Sequence, residues 1–192
     1  MTNTVSVGSA RERLLAAAAR LFYANGMAAT GIDSITAQAG VAKMSLYNNF
    51  ASKDDLMLAY INARHEEWLA LYRARAETAS APRELVLAVF DAYIDHVSVE
   101  SAPEFRGCGL LNAAGELPAG SPGRDAVRRH KEQVEAILSE HLQLMTESVR
   151  AQATAEHFAF LVEGAMVRAG LEGTADRLHH ARRIAAAVID AL

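Results

Sequence analysis

Side chains suited to binding a polar, negatively charged molecule are concentrated in the short segment 43–49, which reads Lys-Met-Ser-Leu-Tyr-Asn-Asn. Serine and asparagine side chains hydrogen-bond to base edges, and asparagine pairs well with adenine. Lysine and tyrosine side chains are suited to phosphate oxygens, which position a protein on a duplex. The segment therefore predicts a contact with double-stranded DNA. The predicted contact residues are Thr30, Lys43, Met44, Ser45, Tyr47, Asn48, Asn49 and Lys53.

Two short helices joined by a turn are needed to present this segment. Gly40 supplies the turn, because glycine adopts backbone conformations that a β-carbon disfavours. In the helix predicted over 43–49, Leu46 and the following Phe50 are four positions apart and face inward. The pattern is that of a helix-turn-helix, whose second helix enters the major groove of DNA.

Capping boxes are predicted at the starts of two helices in this region, one from Thr30 and Asp33 and one from Ser52 and Asp55. Lys53 then lies in the first turn of the fourth helix, where the helix dipole favours anions. A DNA phosphate beside Lys53 removes this mismatch, which supports its place among the predicted contacts.

The composition predicts an all-α protein, because alanine is abundant, proline is limited to four residues and strand-type runs are scarce. Apolar periodicity predicts about nine helices. We divide them into a helix-turn-helix head, residues 9–52, and a larger ligand-binding and dimerisation body, residues 53–192. The chain up to Lys53 has five cationic and two anionic side chains, although the whole chain has a net charge of −4. A basic head on an acidic body suits a protein that places only its head on phosphates.

The chain from residue 9 to about 60 resembles the DNA-binding domain of the TetR family of transcriptional regulators. The most specific part of the resemblance is the run Leu46-Tyr47-x-x-Phe50-x-Ser52-Lys53. The resemblance implies a homodimeric repressor with an all-helical body. It also implies that a small molecule binds among the middle helices, moves the fourth helix and separates the two heads.

Two positions depart from the family pattern. Met44 stands where the family often has glycine, which bears on base preference. Gly31 stands where the family often has serine or threonine, so one hydroxyl that can contact a phosphate is missing.

The body contains aromatic and polar residues that we predict to line a small-molecule site, since such sites combine apolar walls with a few polar groups. They are Trp68, Tyr72, Phe90, Tyr93, Cys108 and Asn112. A packed core is the alternative for each of the aromatic residues. Asn112 is predicted to be a buried amide, which requires a hydrogen-bond partner.

Cys108 allows a second interpretation, in which the regulator senses oxidants or electrophiles through its thiol. Arg106 is close in sequence, and a cysteine at a helix N-terminus can have a lowered pKa. The simpler interpretation is a small buried side chain, the commoner state of a free cysteine. A helical ligand-binding module without DNA binding is a further alternative.

The last two helices are predicted to pair with a symmetry mate as a four-helix bundle. The predicted interface residues are Phe158, Leu161, Val162, Ala165, Leu178, Ala181, Ala185 and Val188. Asp176, His179 and His180 have metal-ligand spacing, but we interpret them as a polar edge and expect neither a metal nor a cofactor.

Several classes of protein are not favoured by the sequence. No P-loop, dinucleotide-binding glycine pattern or paired-cysteine metal motif occurs, so an enzyme is not expected. No apolar run reaches the roughly 18–20 residues that span a bilayer. The N-terminus lacks the pattern of a signal peptide, and the single cysteine fits a reducing compartment. We therefore expect a cytoplasmic protein without a membrane partner.

Overall fold

The computed structural model describes residues 8–99 and 105–192. These residues form nine helices and no strand, which confirms the all-α prediction. The helices are α1 (Ala10–Asn25), α2 (Ile32–Ala39), α3 (Lys43–Asn49), α4 (Lys53–Ala76), α5 (Pro82–Val99), α6 (Gly109–Glu116), α7 (Pro122–Leu142), α8 (Ser148–Glu172) and α9 (Asp176–Ile189). The sequence also predicts a tail over 1–8 and a loop over 98–107. Residues 1–7 of that tail and residues 100–104 of that loop lie outside the described residues.

The first helix begins with a capping box that fixes its start. The Ser9 hydroxyl oxygen accepts a hydrogen bond from the backbone N–H of Glu12 at 3.2 Å, and the Ser9 N–H donates to the Glu12 carboxylate at 2.7 Å. Ser52 caps α4 as predicted, since its hydroxyl oxygen accepts from the N–H of Asp55 at 3.1 Å. The Asp55 carboxylate accepts from the N–H of Ala51 at 3.0 Å.

The capping box predicted for α2 is wrong. The helix begins after Gly31, and no side chain caps it. The Thr30 hydroxyl lies within hydrogen-bond distance of two carbonyl oxygens, those of Gly26 at 2.7 Å and Leu21 at 3.2 Å. Thr30 thus holds the connection between α1 and α2 against the end of α1.

The chain divides into two compact units. The first comprises residues up to 63 together with 110–126, and the second comprises 64–109 and 127–192. In the first unit, α1 packs against α2 and α3 around Leu14, Ile35 and Leu46, all fully buried. This core fixes the orientation of α3.

The second unit contains most of the body. Its central packing joins α5, α8 and α9. Phe90 of α5 and Phe158 of α8 meet edge to face, with ring centroids 5.8 Å apart. Apolar periodicity predicts a helix over about 153–169, and α8 extends beyond that span at both ends until Gly173, with φ 71°, terminates it.

Candidate functional site

The turn before α3 depends on one glycine. Gly40 has φ 63° and ψ 41°, the left-handed conformation that costs other residues energy. The backbone N–H of Val41 then donates to the carbonyl of Thr36 at 3.1 Å, which closes the end of α2. The chain reverses within a few residues and starts α3 at Lys43.

Helix α3 is anchored by one face and exposes the other. Leu46 is fully buried, and Phe50 immediately after the helix is almost fully buried. On the opposite side, Met44 is 68% exposed and Tyr47 is 46% exposed. Asn48 is also exposed. Exposed large side chains on a short, well-anchored helix are available to another molecule.

Two of the predicted base contacts are partly occupied within the helix. Ser45 and Asn49 are half-buried, and the Asn49 amide nitrogen donates to the carbonyl oxygen of Ser45 at 2.7 Å. The amide oxygen of Asn49 is left as the group that accepts from a base. Asn48 is the more exposed of the two asparagines and the better candidate for a bidentate contact.

Lys43 is held by an acidic residue of the preceding helix. Its ammonium group lies 2.8 Å from a carboxylate oxygen of Asp33, and both side chains are more than half exposed. The hydrogen bond and charge of Asp33 raise the pKa of Lys43 above its ordinary value. The lysine therefore stays cationic at neutral pH, while its position is set by α2.

The structure contradicts the assignment of Thr30 as a phosphate contact. Its side chain is only 3% exposed, and its hydroxyl faces the carbonyls of Leu21 and Gly26. A threonine placed in this way supports the head from within. Thr30 is therefore not available to a DNA phosphate.

Sequence reasoning missed a further cation of the head. The Arg11 guanidinium lies over the ring of Phe50, 4.9 Å from its centroid, and Arg11 is exposed. This cation–π contact places a positive charge beside the end of α3. The available signal was a cation in the first turn of α1, where the helix dipole disfavours it.

Comparison with known proteins identifies this architecture. Residues 14–60 match the model of bacterial regulatory proteins of the tetR family. The crystal structure of SCO4454, a TetR-family transcriptional regulator from Streptomyces coelicolor, is 33% identical in sequence and superposes with a TM-score of 0.84. The likeness covers 94% of this chain and 95% of that one.

The chain belongs to the TetR family. Two curated relatives are 33% identical over shorter segments: the activator FasR of Mycolicibacterium smegmatis over 91 residues and the repressor KstR2 of Mycobacterium tuberculosis over 94 residues. These matches cover 47% of this chain in each case, 42% of FasR and 47% of KstR2. The chain is therefore a DNA-binding transcriptional regulator and not an enzyme, as the sequence predicted.

In the part of the chain that the structure describes, no helix is long and apolar enough to cross a membrane. Within residues 8–99 and 105–192, histidine, cysteine and acidic side chains do not assemble into a metal-binding group.

In the body of this TetR-family protein, aromatic and imidazole rings form a polar-aromatic cluster around Trp68. The indole stacks on Tyr72, with ring centroids 5.7 Å apart, and meets Tyr93 and the edge of His130 at 5.4 Å. Nδ1 of His130 is hydrogen-bonded to Nδ1 of His65 at 2.9 Å. The indole N–H of Trp68 is buried and has no hydrogen-bond partner among the described residues.

Burial sets the protonation states of this cluster. It lowers the pKa of His130 to about 3, and the positive charge of Lys131 adds to the effect. Burial also lowers the pKa of His96 to about 3, helped by the neighbouring Arg64. Both imidazoles are therefore neutral at physiological pH. Burial raises the pKa of Tyr93, which stays a neutral phenol.

The ammonium group of Lys131 lies close to three side chains that can lose a proton. Its Nζ lies 2.6 Å from a carboxylate oxygen of Glu163, 3.4 Å from the hydroxyl of Tyr93 and 3.8 Å from Sγ of Cys108. Burial opposes the charge of Lys131, but these acidic groups outweigh burial and raise its pKa above the ordinary value. Cys108 is itself buried.

The predicted ligand residues do not all lie together. Trp68, Tyr72 and Tyr93 belong to the polar-aromatic cluster, whereas Phe90 packs on Phe158. Asn112 is exposed on α6, so the prediction of a buried amide is wrong. Its helix has only eight residues, and position 112 falls on the exposed side of it.

Most of the predicted interface residues are buried in the chain's own core. The members buried within the chain are Phe158, Val162, Ala165, Leu178, Ala181 and Ala185. Leu161 is half-buried and Val188 is 37% exposed, so only these two remain available to a second copy. The prediction is wrong for the six buried residues, because periodicity shows which residues share a face but not where that face points.

Another set of apolar residues, which shares only Val188 with the predicted interface, is exposed on the last two helices. Phe160, Val167 and Leu171 recur along α8 at helical spacing, with exposures of 65%, 52% and 79%. Ile184 and Val188 form a matching pair on α9. We call these five residues the exposed apolar face.

Proposed function

We propose that this TetR-family regulator is a homodimeric repressor that leaves its operator when a small apolar or amphipathic molecule enters its body. The observation that carries the DNA-binding part is the geometry of α3. Leu46 and Phe50 anchor the helix, while Met44, Tyr47 and Asn48 face outward. Such a helix fits the major groove, where base edges present a distinct hydrogen-bonding pattern for each pair.

The contacts divide into two classes. Tyr47, Lys43 and Lys53 supply a hydroxyl and two ammonium groups for phosphate oxygens, and these interactions position the head on any duplex. Asn48 and Ser45 supply hydrogen bonds to base edges, while the exposed thioether of Met44 offers an apolar contact. Asn49 adds its amide oxygen. The second class selects the operator sequence.

The exposed apolar face supports the homodimer. Monomeric proteins rarely leave several large apolar side chains exposed on one surface, so such a patch marks an interaction site. Phe160, Val167 and Leu171 on α8 with Ile184 and Val188 on α9 suit a symmetric four-helix bundle. Two heads then reach successive major grooves, about 34–36 Å apart, on a near-palindromic operator.

The polar-aromatic cluster supports a ligand site in the body. Its rings provide apolar contact area, and the buried indole N–H of Trp68 requires an acceptor. A ligand with an aromatic or aliphatic body and one hydrogen-bond acceptor meets both needs. Helix α4 carries both Lys53 and Trp68, so a ligand that shifts the cluster acts on the element that begins at the DNA contact.

We propose repression as the sign of regulation because the family resemblance implies it. The relatives include the activator FasR as well as the repressor KstR2, so the sign needs a test of its own. The test is a promoter fusion carrying the selected operator, measured with and without the regulator. Repression predicts lower expression when the regulator is present. Higher expression contradicts it and leaves the DNA-binding proposal standing.

A redox or electrophile sensor is the second candidate function, favoured by one contact. Sγ of Cys108 lies 3.8 Å from the ammonium of Lys131, which places the single cysteine of the chain beside a cation. The test compares release from DNA by N-ethylmaleimide in the wild type and Cys108→Ser. A sensor predicts release only in the wild type, and equal behaviour of the two proteins removes this function.

A further inference from the structure

A cavity of about 420 Å³ lies in the first compact unit, outside the polar-aromatic cluster. This volume falls within the range of about 300–1,000 Å³ that is typical of small-molecule sites. Its walls come from the connection between α1 and α2, the first two turns of α4, and the chain from the end of α6 to the start of α7. All of its lining residues belong to that unit.

The apolar part of the cavity is formed by flexible and compact side chains. Met27 and Met57 contribute thioethers, and Leu58, Leu117 and Pro118 complete the apolar wall. Methionine side chains adapt to ligands of different shape because they are unbranched and polarizable. This wall suits an aliphatic or aromatic group without a polar substituent.

The charged residues that line the cavity are predominantly acidic, since Asp54, Asp55 and Glu116 outnumber the one lysine, Lys53. Two of the carboxylates are already engaged. Glu116 accepts hydrogen bonds from the backbone N–H groups of residues 27 and 28 at 3.1 and 2.7 Å, and Asp55 accepts from Ala51 at 3.0 Å.

Asp54 is the carboxylate that remains available to a ligand. It is exposed, and among the described residues it forms neither a hydrogen bond nor an ion pair. A cation placed beside it completes an ion pair and also meets the residual negative charge of its two acidic neighbours. Charge complementarity therefore selects a ligand with one positive group.

We propose that this cavity binds a monocationic amphiphile, with its ammonium group beside Asp54 and its apolar tail against Met27, Met57 and Leu58. The site differs from the proposed ligand site of the body in its lining residues and in the charge of its ligand. Lys53 lines the cavity and is also a proposed phosphate contact. Because binding is measured without DNA, the proposal stands or falls separately from the proposed function.

The test uses the full chain labelled with [methyl-¹³C]methionine and titrated with octyltrimethylammonium at concentrations below micelle formation. The methyl signals, assigned by single Met→Leu substitutions, report on the cavity through Met27 and Met57. Met44 on α3 and Met166 in the core of α8 serve as internal controls. The proposal predicts saturable shifts at the two cavity methyls and unchanged signals at the two controls.

The charge requirement is tested with octanoate, which has an apolar tail of similar length and the opposite charge. It is expected to bind at least several-fold more weakly than octyltrimethylammonium. Asp54→Asn should weaken binding of the cation about three- to fivefold, the effect of losing one exposed ion pair. Asp176→Asn is the matched control, since Asp176 is an exposed acid in the first turn of α9.

Three results overturn the proposal. The first is that the signals of Met27 and Met57 do not move or move without saturation. The second is that all methionine methyls shift together, which indicates unspecific detergent binding. The third is that octanoate binds the wild type as tightly as octyltrimethylammonium does, or that Asp54→Asn leaves the affinity for octyltrimethylammonium unchanged.

Discussion

Acidification should destabilise this protein through His130, whose imidazole is buried and uncharged in the folded state. Burial first, and then the charge of Lys131, lower its pKa to about 3. An unfolded chain exposes the same imidazole to water, where its pKa is about 6.5. The unfolded state therefore takes up the proton at a higher pH than the folded state.

The sign and size of the effect follow from this difference. The contribution of His130 to stability is complete above pH 6.5 and is lost progressively as the pH falls towards 3. Each pH unit in that window costs about 1.4 kcal/mol, so the loss between pH 7 and pH 5 is about 2 kcal/mol. His96, with its pKa also lowered to about 3, adds a loss of similar size.

The assay is urea unfolding at pH 7 and pH 5, followed by circular dichroism, for the wild type and His130→Gln. The variant has its own stability at pH 7, so the informative quantity is the drop between the two pH values. That drop should be about 2 kcal/mol smaller in the variant. His179→Gln, a change at an exposed histidine, should keep the wild-type drop. Equal drops in the wild type and His130→Gln refute the reasoning.

Three further predictions concern the head and the dimer. Glu116→Gln should speed amide hydrogen exchange at residues 27 and 28 about tenfold, because an amide has one acceptor oxygen where the carboxylate has two; unchanged exchange contradicts that link. Phe160→Glu should convert the dimer to a monomer in sedimentation at micromolar concentration, and Leu144→Glu, equally exposed but outside α8 and α9, should not. Asp33→Ala should tighten DNA binding several-fold at low salt, since it removes an anion beside a proposed phosphate contact; weaker binding shows that positioning Lys43 matters more.

The head was predictable from the sequence because its contacts are local. Gly40, Leu46 and Phe50 lie within eleven residues, and the turn and the buried face of α3 follow from their spacing. The start of α2 was not predictable in the same way. The Thr30 hydroxyl is drawn to the carbonyls of Leu21 and Gly26, and this competition with a local cap exists only in the folded head.

The body shows where sequence reasoning stopped. The contact between His65 and His130 joins residues 65 positions apart, and no local pattern indicates it. On α8, both Phe158 and Phe160 belong to apolar stripes, and the sequence does not tell which stripe meets the chain's own core. The structure decides this, with Phe158 at 2% exposure and Phe160 at 65%.

The central claim is that α3 reads DNA while Tyr47 and Lys53 hold the head on phosphates. The most direct measurement selects bound sequences from random DNA and then follows binding of the selected operator by fluorescence anisotropy across a salt series. Combining Tyr47→Phe with Lys53→Ala should weaken binding to every duplex. It should also reduce the slope of log affinity against log salt concentration by the amount expected for about one phosphate contact. Asn48→Ala should instead relax the preference at one base position, at a cost of about 1–3 kcal/mol. Wild-type affinity and salt dependence in the double variant contradict the account.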